Sequence, residues 1–138
     1  MRRSNFYNLE LLVDHYCADE LLKTWGIWSK SDLPYLGYPK IFVTTNKTAS
    51  ITLTEDEVVF IDYVISLMLE YRLTKILFDY YIKSMRLKEL GISYGCSTSG
   101  AKFLLDKIKK KFWCILITEL AKILKKDASW IAEKTDQI

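Results

Sequence analysis

The chain has 138 residues, half of them apolar, with 5 Gly, 2 Pro and a formal net charge of +3. That length buries one hydrophobic core, so a single domain is expected, and the composition excludes a disordered chain and argues against a loop-rich all-β fold. Its apolar runs are broken by Asp, Glu or Lys within about 10 residues, against the roughly 20 that a membrane span needs, and Met1-Arg2-Arg3-Ser4-Asn5 has charge but no apolar stretch behind it, so neither a span nor a signal peptide is expected.

Phe6, Leu9, Leu12, Val13, Tyr16 and Cys17 recur at three- and four-residue spacing, which predicts a helix from about Asn5. Leu21, Leu22, Trp25 and Trp28 continue the stripe to Ser29. A change of phase falls at Ala18-Asp19, where Asp19 is placed to cap a second helix. Residues 30–53 lose the helical period and hold Pro34, Gly37 and Pro39. Lys40 to Thr45 is β-prone, with Ala49 to Thr52 as its available partner, so an irregular or hairpin-like connection is expected before the third helix.

Thr54 followed by Glu57 is a capping box, with Leu53 and Val58 in the two positions of a hydrophobic staple. Val58, Ile61, Ile65 and Leu69 make the next helix apolar nearly all round, so it belongs at the centre of the core, with Tyr63 on its edge and its end near Glu70. Thr74 then caps a helix running to Met85, with Ile76, Leu77, Tyr80, Tyr81 and Met85 as its stripe. A short helix over Arg86 to Leu90 follows, Gly91 and Gly95 bracket a turn, and Ser97-Thr98-Ser99 offer N-caps for a long final helix.

The charge is unevenly spread. Residues 1–71 carry 6 Lys/Arg against 10 Asp/Glu, residues 72–111 carry 10 against 3, and residues 112–138 carry 4 against 4. A local basic cluster of this kind is the electrostatic footprint of a nucleic-acid partner. At about 100° per residue, Ala101, Leu104, Leu105, Ile108, Phe112 and Ile115 share one face of the final helix. Ser99, Lys102, Phe103, Asp106 and Lys110 lie opposite, flanked by Lys107, Lys109 and Lys111.

A helix, a short helix, a Gly-bounded turn and an amphipathic helix opening on small polar residues follow the order of a helix-turn-helix. In such a pair the second helix lays its first turns against base edges, where Ser, Thr and Lys side chains suit base and phosphate contact. Ser97, Thr98, Ser99, Lys102, Phe103 and Asp106 are expected to face the groove of double-stranded DNA. Arg86 and Lys88 on the first helix, with Lys107 and Lys110, are expected on its backbone. Asp106 is also spaced to pair with Lys102 or Lys110.

Asp79-Tyr80-Tyr81, Met85, the Cys96-Ser97 turn, Leu105 and Lys107 resemble the antitermination protein Q family of lambdoid phages, in its phage 21 branch. Upstream, Leu22 and Trp25-Gly26-Ile27-Trp28 resemble that branch's Trp-Gly-x-Trp helix. The C-terminal block covers roughly residues 57–116. The strand-like middle connection, Gly100 in place of a bulky residue and Lys102 in place of a small one depart from the family pattern. The resemblance implies a protein that binds DNA near a phage late promoter. It implies loading onto bacterial RNA polymerase with its sigma factor, close to the nascent RNA, and read-through of terminators in the cytoplasm of the host. On that reading Trp25 and Trp28 are candidates for a polymerase-facing patch.

An enzyme is not expected. His15 is the single histidine, Cys17, Cys96 and Cys114 include no Cys-x-x-Cys pair for zinc, and neither a phosphate-binding glycine loop nor a nucleophile elbow is present. The odd, dispersed cysteines fit a reducing cytoplasm. No cofactor is expected. Two other readings stand beside the antiterminator. One is a repressor or activator acting only at its operator, with Ile123, Leu124, Trp130 and Ile131 as a patch for self-association on DNA. The other is an interaction protein whose basic face takes an acidic partner. The expected architecture is all-α: a small helical domain with an N-terminal helical region (1–29), a connection (30–53), a helical core holding the helix-turn-helix (54–125) and a C-terminal tail (126–138).

Overall fold

Residues 12–14, 16–30, 41–43, 52–68 and 72–136 are described by the structure, a computed structural model. Residues 12–14 are helical, and six further α-helices are seen among the described residues: α1 (Ala18–Lys30), α2 (Glu55–Leu67), the single turn α3 (Lys75–Leu77), α4 (Leu87–Tyr94), α5 (Thr98–Leu124) and α6 (Ala128–Thr135). A 3₁₀ turn covers Arg72–Thr74 and a π-helical segment covers Phe78–Ile82. Among the described residues the chain is thus a small all-α domain apart from two three-residue strands, β1 (Ile41–Val43) and β2 (Thr52–Thr54). These pair antiparallel in the register Ile41↔Thr54, Phe42↔Leu53 and Val43↔Thr52, so the hairpin-like connection closes on the residues that lead straight into α2. Among the described residues no helix is long and apolar enough to cross a membrane. Phe6, Leu9, His15, Leu69 and Glu70 lie outside the described residues.

The cap at Thr54 forms as expected. Its hydroxyl accepts from Glu57 N–H at 3.2 Å, and its own N–H donates to Glu57 Oε1 at 2.7 Å. Leu53 and Val58, the staple pair, are both buried. The N-terminal break falls differently. Cys17, not Asp19, precedes α1, and its N–H is taken by Glu20 Oε1. Asp19 sits inside the first turn of the helix and is used elsewhere.

Thr74 does not cap. Its hydroxyl donates to the Met68 carbonyl at 2.6 Å, closing the end of α2 onto the 3₁₀ turn. The expected helix over 74–85 is instead a 3₁₀ turn, one α-turn and the π segment, which ends with Lys83 N–H on the Phe78 carbonyl. Asp79 and Tyr81 lie about 200° apart around a helix, yet both are buried. The segment is sandwiched: Tyr81 donates to Asp19 on α1, and Asp79 accepts from Tyr94 on α4.

Two elements are longer than the sequence suggests. The short helix continues past Leu90 to Tyr94, with Gly91 inside it, because Gly91 is the point where the following turn folds back. A Cβ there would lie 2.6 Å from the Cys96 carbonyl oxygen. Gly95 alone makes the turn, at φ 71 in the left-handed region that glycine adopts without strain. The expected C-terminal tail is largely helix α6, capped by Asp127 and fastened to α5 through Trp113, whose Nε1 donates to the Lys134 carbonyl at 2.8 Å.

Candidate nucleic-acid interface

Along α5 the packing face is the one its periodicity marks. Ala101, Leu105, Ile108 and Phe112 are buried, and Leu104 and Ile115 are half-buried. Beyond Phe112 the buried set widens to Trp113, Leu116, Ile117, Leu120 and Ala121, since α6 covers a second side. The opposite face is open, and exposure continues past the helix midpoint through Lys111, Cys114, Thr118 and Lys122. Thr98, Ser99, Lys102, Phe103, Lys107 and Lys110 are exposed, as are Arg86 and Lys88 at the start of α4.

The members of this set have unequal freedom. Ser97 is the N-cap: its Oγ accepts from Gly100 N–H at 3.0 Å, so it shapes the helix start and its hydroxyl is already committed. Asp106 is half-exposed and held between two cations, Lys102 at 3.1 Å and Lys109 at 3.6 Å, so it orients Lys102 and offers little as an acceptor from a base. Its spacing allowed Lys102 or Lys110, and Lys102 is the one engaged. Lys109 is drawn inward, its side chain 20% exposed, and bridges to Asp19 on α1 at 3.5 Å. It ties α5 to α1 and leaves the solvent face to Lys102, Lys107 and Lys110.

Phe103 is 66% exposed, an unusual place for a phenyl ring on a helix that has a complete buried face. Acidic side chains occupy the first turns of α1, α2 and α4, whereas the first turn of α5 has none. Its positive dipole end therefore meets no carboxylate from its own first turn. Gly100 fits its position because a Cβ there would come within 3.1 Å of Cys96 Cβ.

Trp25 is not a surface residue. It is 1% exposed, its Nε1 donates to Asp62 Oδ1 at 3.0 Å, and its ring meets Phe78 edge-on at 5.3 Å. A residue so enclosed cannot face RNA polymerase, and its stripe position on α1 is a core position. Trp28 is half-buried against the same core. The expected self-association patch is also partly used within the chain, since Ile123, Leu124, Trp130 and Ile131 pack in part on the core.

The Asp79-Tyr80-Tyr81 motif has a clear structural task. Tyr81 donates to Asp19 at 2.6 Å, and burial first, then this hydrogen bond, pushes its phenol far above the usual tyrosine range. Burial opposes the charge of Asp19, but the Tyr81 hydroxyl, Lys23 and Lys109 outweigh it and hold the carboxyl below the ordinary aspartate range. Tyr94, desolvated and bonded to Asp79 at 2.9 Å, is pushed up to about 12. These groups join α1, the π segment, α4 and α5 into one frame behind the exposed face. Periodicity passed over Asp19, Asp79 and Lys109 because their partners lie far off in sequence.

Among the described residues no group of His, Cys, Asp and Glu is placed to hold a metal ion. No protein-family model, curated protein or solved structure matches the chain.

Proposed function

We propose that the chain binds duplex DNA through the open face of α5 and acts as a transcription antiterminator. The observation that carries the DNA contact is the exposed, acid-free start of α5. Thr98, Ser99, Lys102 and Phe103 project there, while Ala101 and Leu105 anchor the opposite side. With α4 and the Gly95 turn this reads as a helix-turn-helix whose second helix meets the groove. Lys107, Lys110, Arg86 and Lys88 then meet phosphates, and Asp106 holds Lys102 in register.

Antitermination rests on the ordered motifs, Trp-Gly-x-Trp, Asp-Tyr-Tyr and Cys-Ser, and on their likeness to the Q family of phage 21 type. The protein would bind near a late promoter, load onto bacterial RNA polymerase while sigma is still present, and travel with it past terminators. Of the two tryptophans, Trp28 is the one with surface left to meet the polymerase.

Transcription of a template carrying the cognate promoter and a downstream terminator, with purified polymerase, tests this directly. Read-through that depends on the protein is expected. Specific promoter binding with unchanged termination would assign the chain instead to regulators that act only at an operator. For the DNA face, Lys102→Ala with Lys110→Ala should weaken binding and reduce its salt dependence by about one unit of slope for each phosphate that is no longer neutralised.

A further inference from the structure

We propose that the cleft between α1, the π segment and the start of α4 is a binding site for a nucleoside phosphate. It encloses ≈ 450 Å³, within the range of small-ligand sites. Among the described residues three cations line it, Lys23, Lys30 and Arg86, and no acidic side chain does. Lys23 is held by Asp19 at 3.1 Å, but among the described residues no carboxylate pairs with Lys30 or Arg86. Their charges converge on one opening, which favours an anion there. Arg86 supplies the planar fork that phosphate oxygens match.

Apart from Ser84, the rest of the described lining is apolar and aromatic, with Tyr80 half-buried in it. A tyrosine beside a cationic rim accommodates a base against the ring and a phosphate at the rim. Ser84, also in the lining, has φ 58, a left-handed conformation that disfavours a non-glycine residue. Its hydroxyl accepts from Lys30 Nζ at 3.4 Å across the cleft. The site shares Arg86 with the proposed duplex face, but neither Lys30 nor Tyr80 belongs to α5. Two sources share its ligand chemistry, a free nucleotide and an unpaired nucleotide within a strand.

Calorimetric titration of the full chain with AMP, adenosine, inorganic phosphate and the tetranucleotide d(pA)4 tests the proposal. AMP is expected to bind saturably and about 10-fold or more tighter than adenosine or phosphate alone. Tyr80→Leu and Lys30→Gln should each weaken it at least about 5-fold, with circular dichroism unchanged. Lys30→Gln should also leave duplex binding as it is, which keeps this result separate from the fate of the α5 face. A tetranucleotide bound about 10-fold tighter than AMP identifies an unpaired strand as the source, and equal affinities identify a free nucleotide. Phosphate bound as tightly as AMP, the same AMP affinity in both variants, or no saturable heat from AMP or d(pA)4 at millimolar concentration would each overturn it.

Discussion

Gly26 on α1 lies against the backbone of Tyr81: a Cβ added to it would stand 2.3 Å from the Tyr81 carbonyl oxygen and 2.9 Å from the carbonyl carbon. The glycine of Trp-Gly-x-Trp and the last tyrosine of Asp-Tyr-Tyr are thus two sides of one contact. Alanine in mid-helix is intrinsically favoured over glycine by about 1 kcal/mol, but backbone atoms cannot swing away as a side chain can. The clash is expected to win, and Gly26→Ala should lose about 2–3 kcal/mol, a fall in Tm of roughly 10 °C. An unchanged melting curve would show that α1 and the π segment do not approach so closely.

Tyr94→Phe should destabilise the domain by about 1–2 kcal/mol at neutral pH, because Asp79, 3% exposed, loses its phenol donor and keeps only Lys83 at 3.5 Å. Alkali gives a second reading. The folded phenol titrates at about 12, above its unfolded value, so its contribution is complete below about pH 10 and is lost as the pH rises toward 12. Tyr81 acts in the same sense. Chemical denaturation at steps from pH 9 to 12 should therefore find the difference between wild type and Tyr94→Phe shrinking with pH.

Asp19 makes the acid-side counterpart. Its folded carboxyl lies below the ordinary range, so its stabilisation is present above the unfolded pKa and is lost as pH falls through the folded one. Asp19→Asn should be less stable than wild type at pH 7, and the two should converge below about pH 4. Curves that stay parallel through acid would remove the charge of Asp19 from the account and leave only its shape.

Phe103→Ala separates binding from folding. With its ring 66% exposed, truncation should change stability by no more than about 0.5 kcal/mol. Duplex affinity, measured by fluorescence anisotropy at fixed salt, should fall about 5-fold or more if the ring lies in the groove. A drop in Tm without a change in affinity would make Phe103 a packing residue.

The parts of this fold that were legible are those with a local cause. The box at Thr54 and Glu57 needs only three residues, and the buried side of α5 follows from Ala101, Leu105, Ile108 and Phe112 recurring with the helix. What stayed hidden depends on partners far away in the chain. Tyr81 meets a carboxylate 62 residues earlier, and Trp25 finds its acceptor 37 residues later. Trp25 shares the apolar stripe of Leu21 and Leu22, which marks a core position, and the reading of it as a surface anchor, taken from the resemblance, fails against that stripe; only its acceptor, Asp62, is beyond the reach of periodicity. The π segment was hidden likewise, since Thr74 satisfies Met68 where a cap would have started a regular helix. On the proposed interface, composition and spacing marked the basic face but not which lysine is drawn inward. That choice is made by Asp19 on α1.

At 27 residues, α5 is a rod about 40 Å long, with Ser99 and Lys102 near one tip and α6 clamped back onto its middle through Trp113 and Lys134. A helix with a continuous buried face bends little along its length. That face packs against α1, α2 and α4, so Ser99, Lys102 and α6 ride on one body with the core, and whatever meets the first turns of α5 meets the whole domain at once.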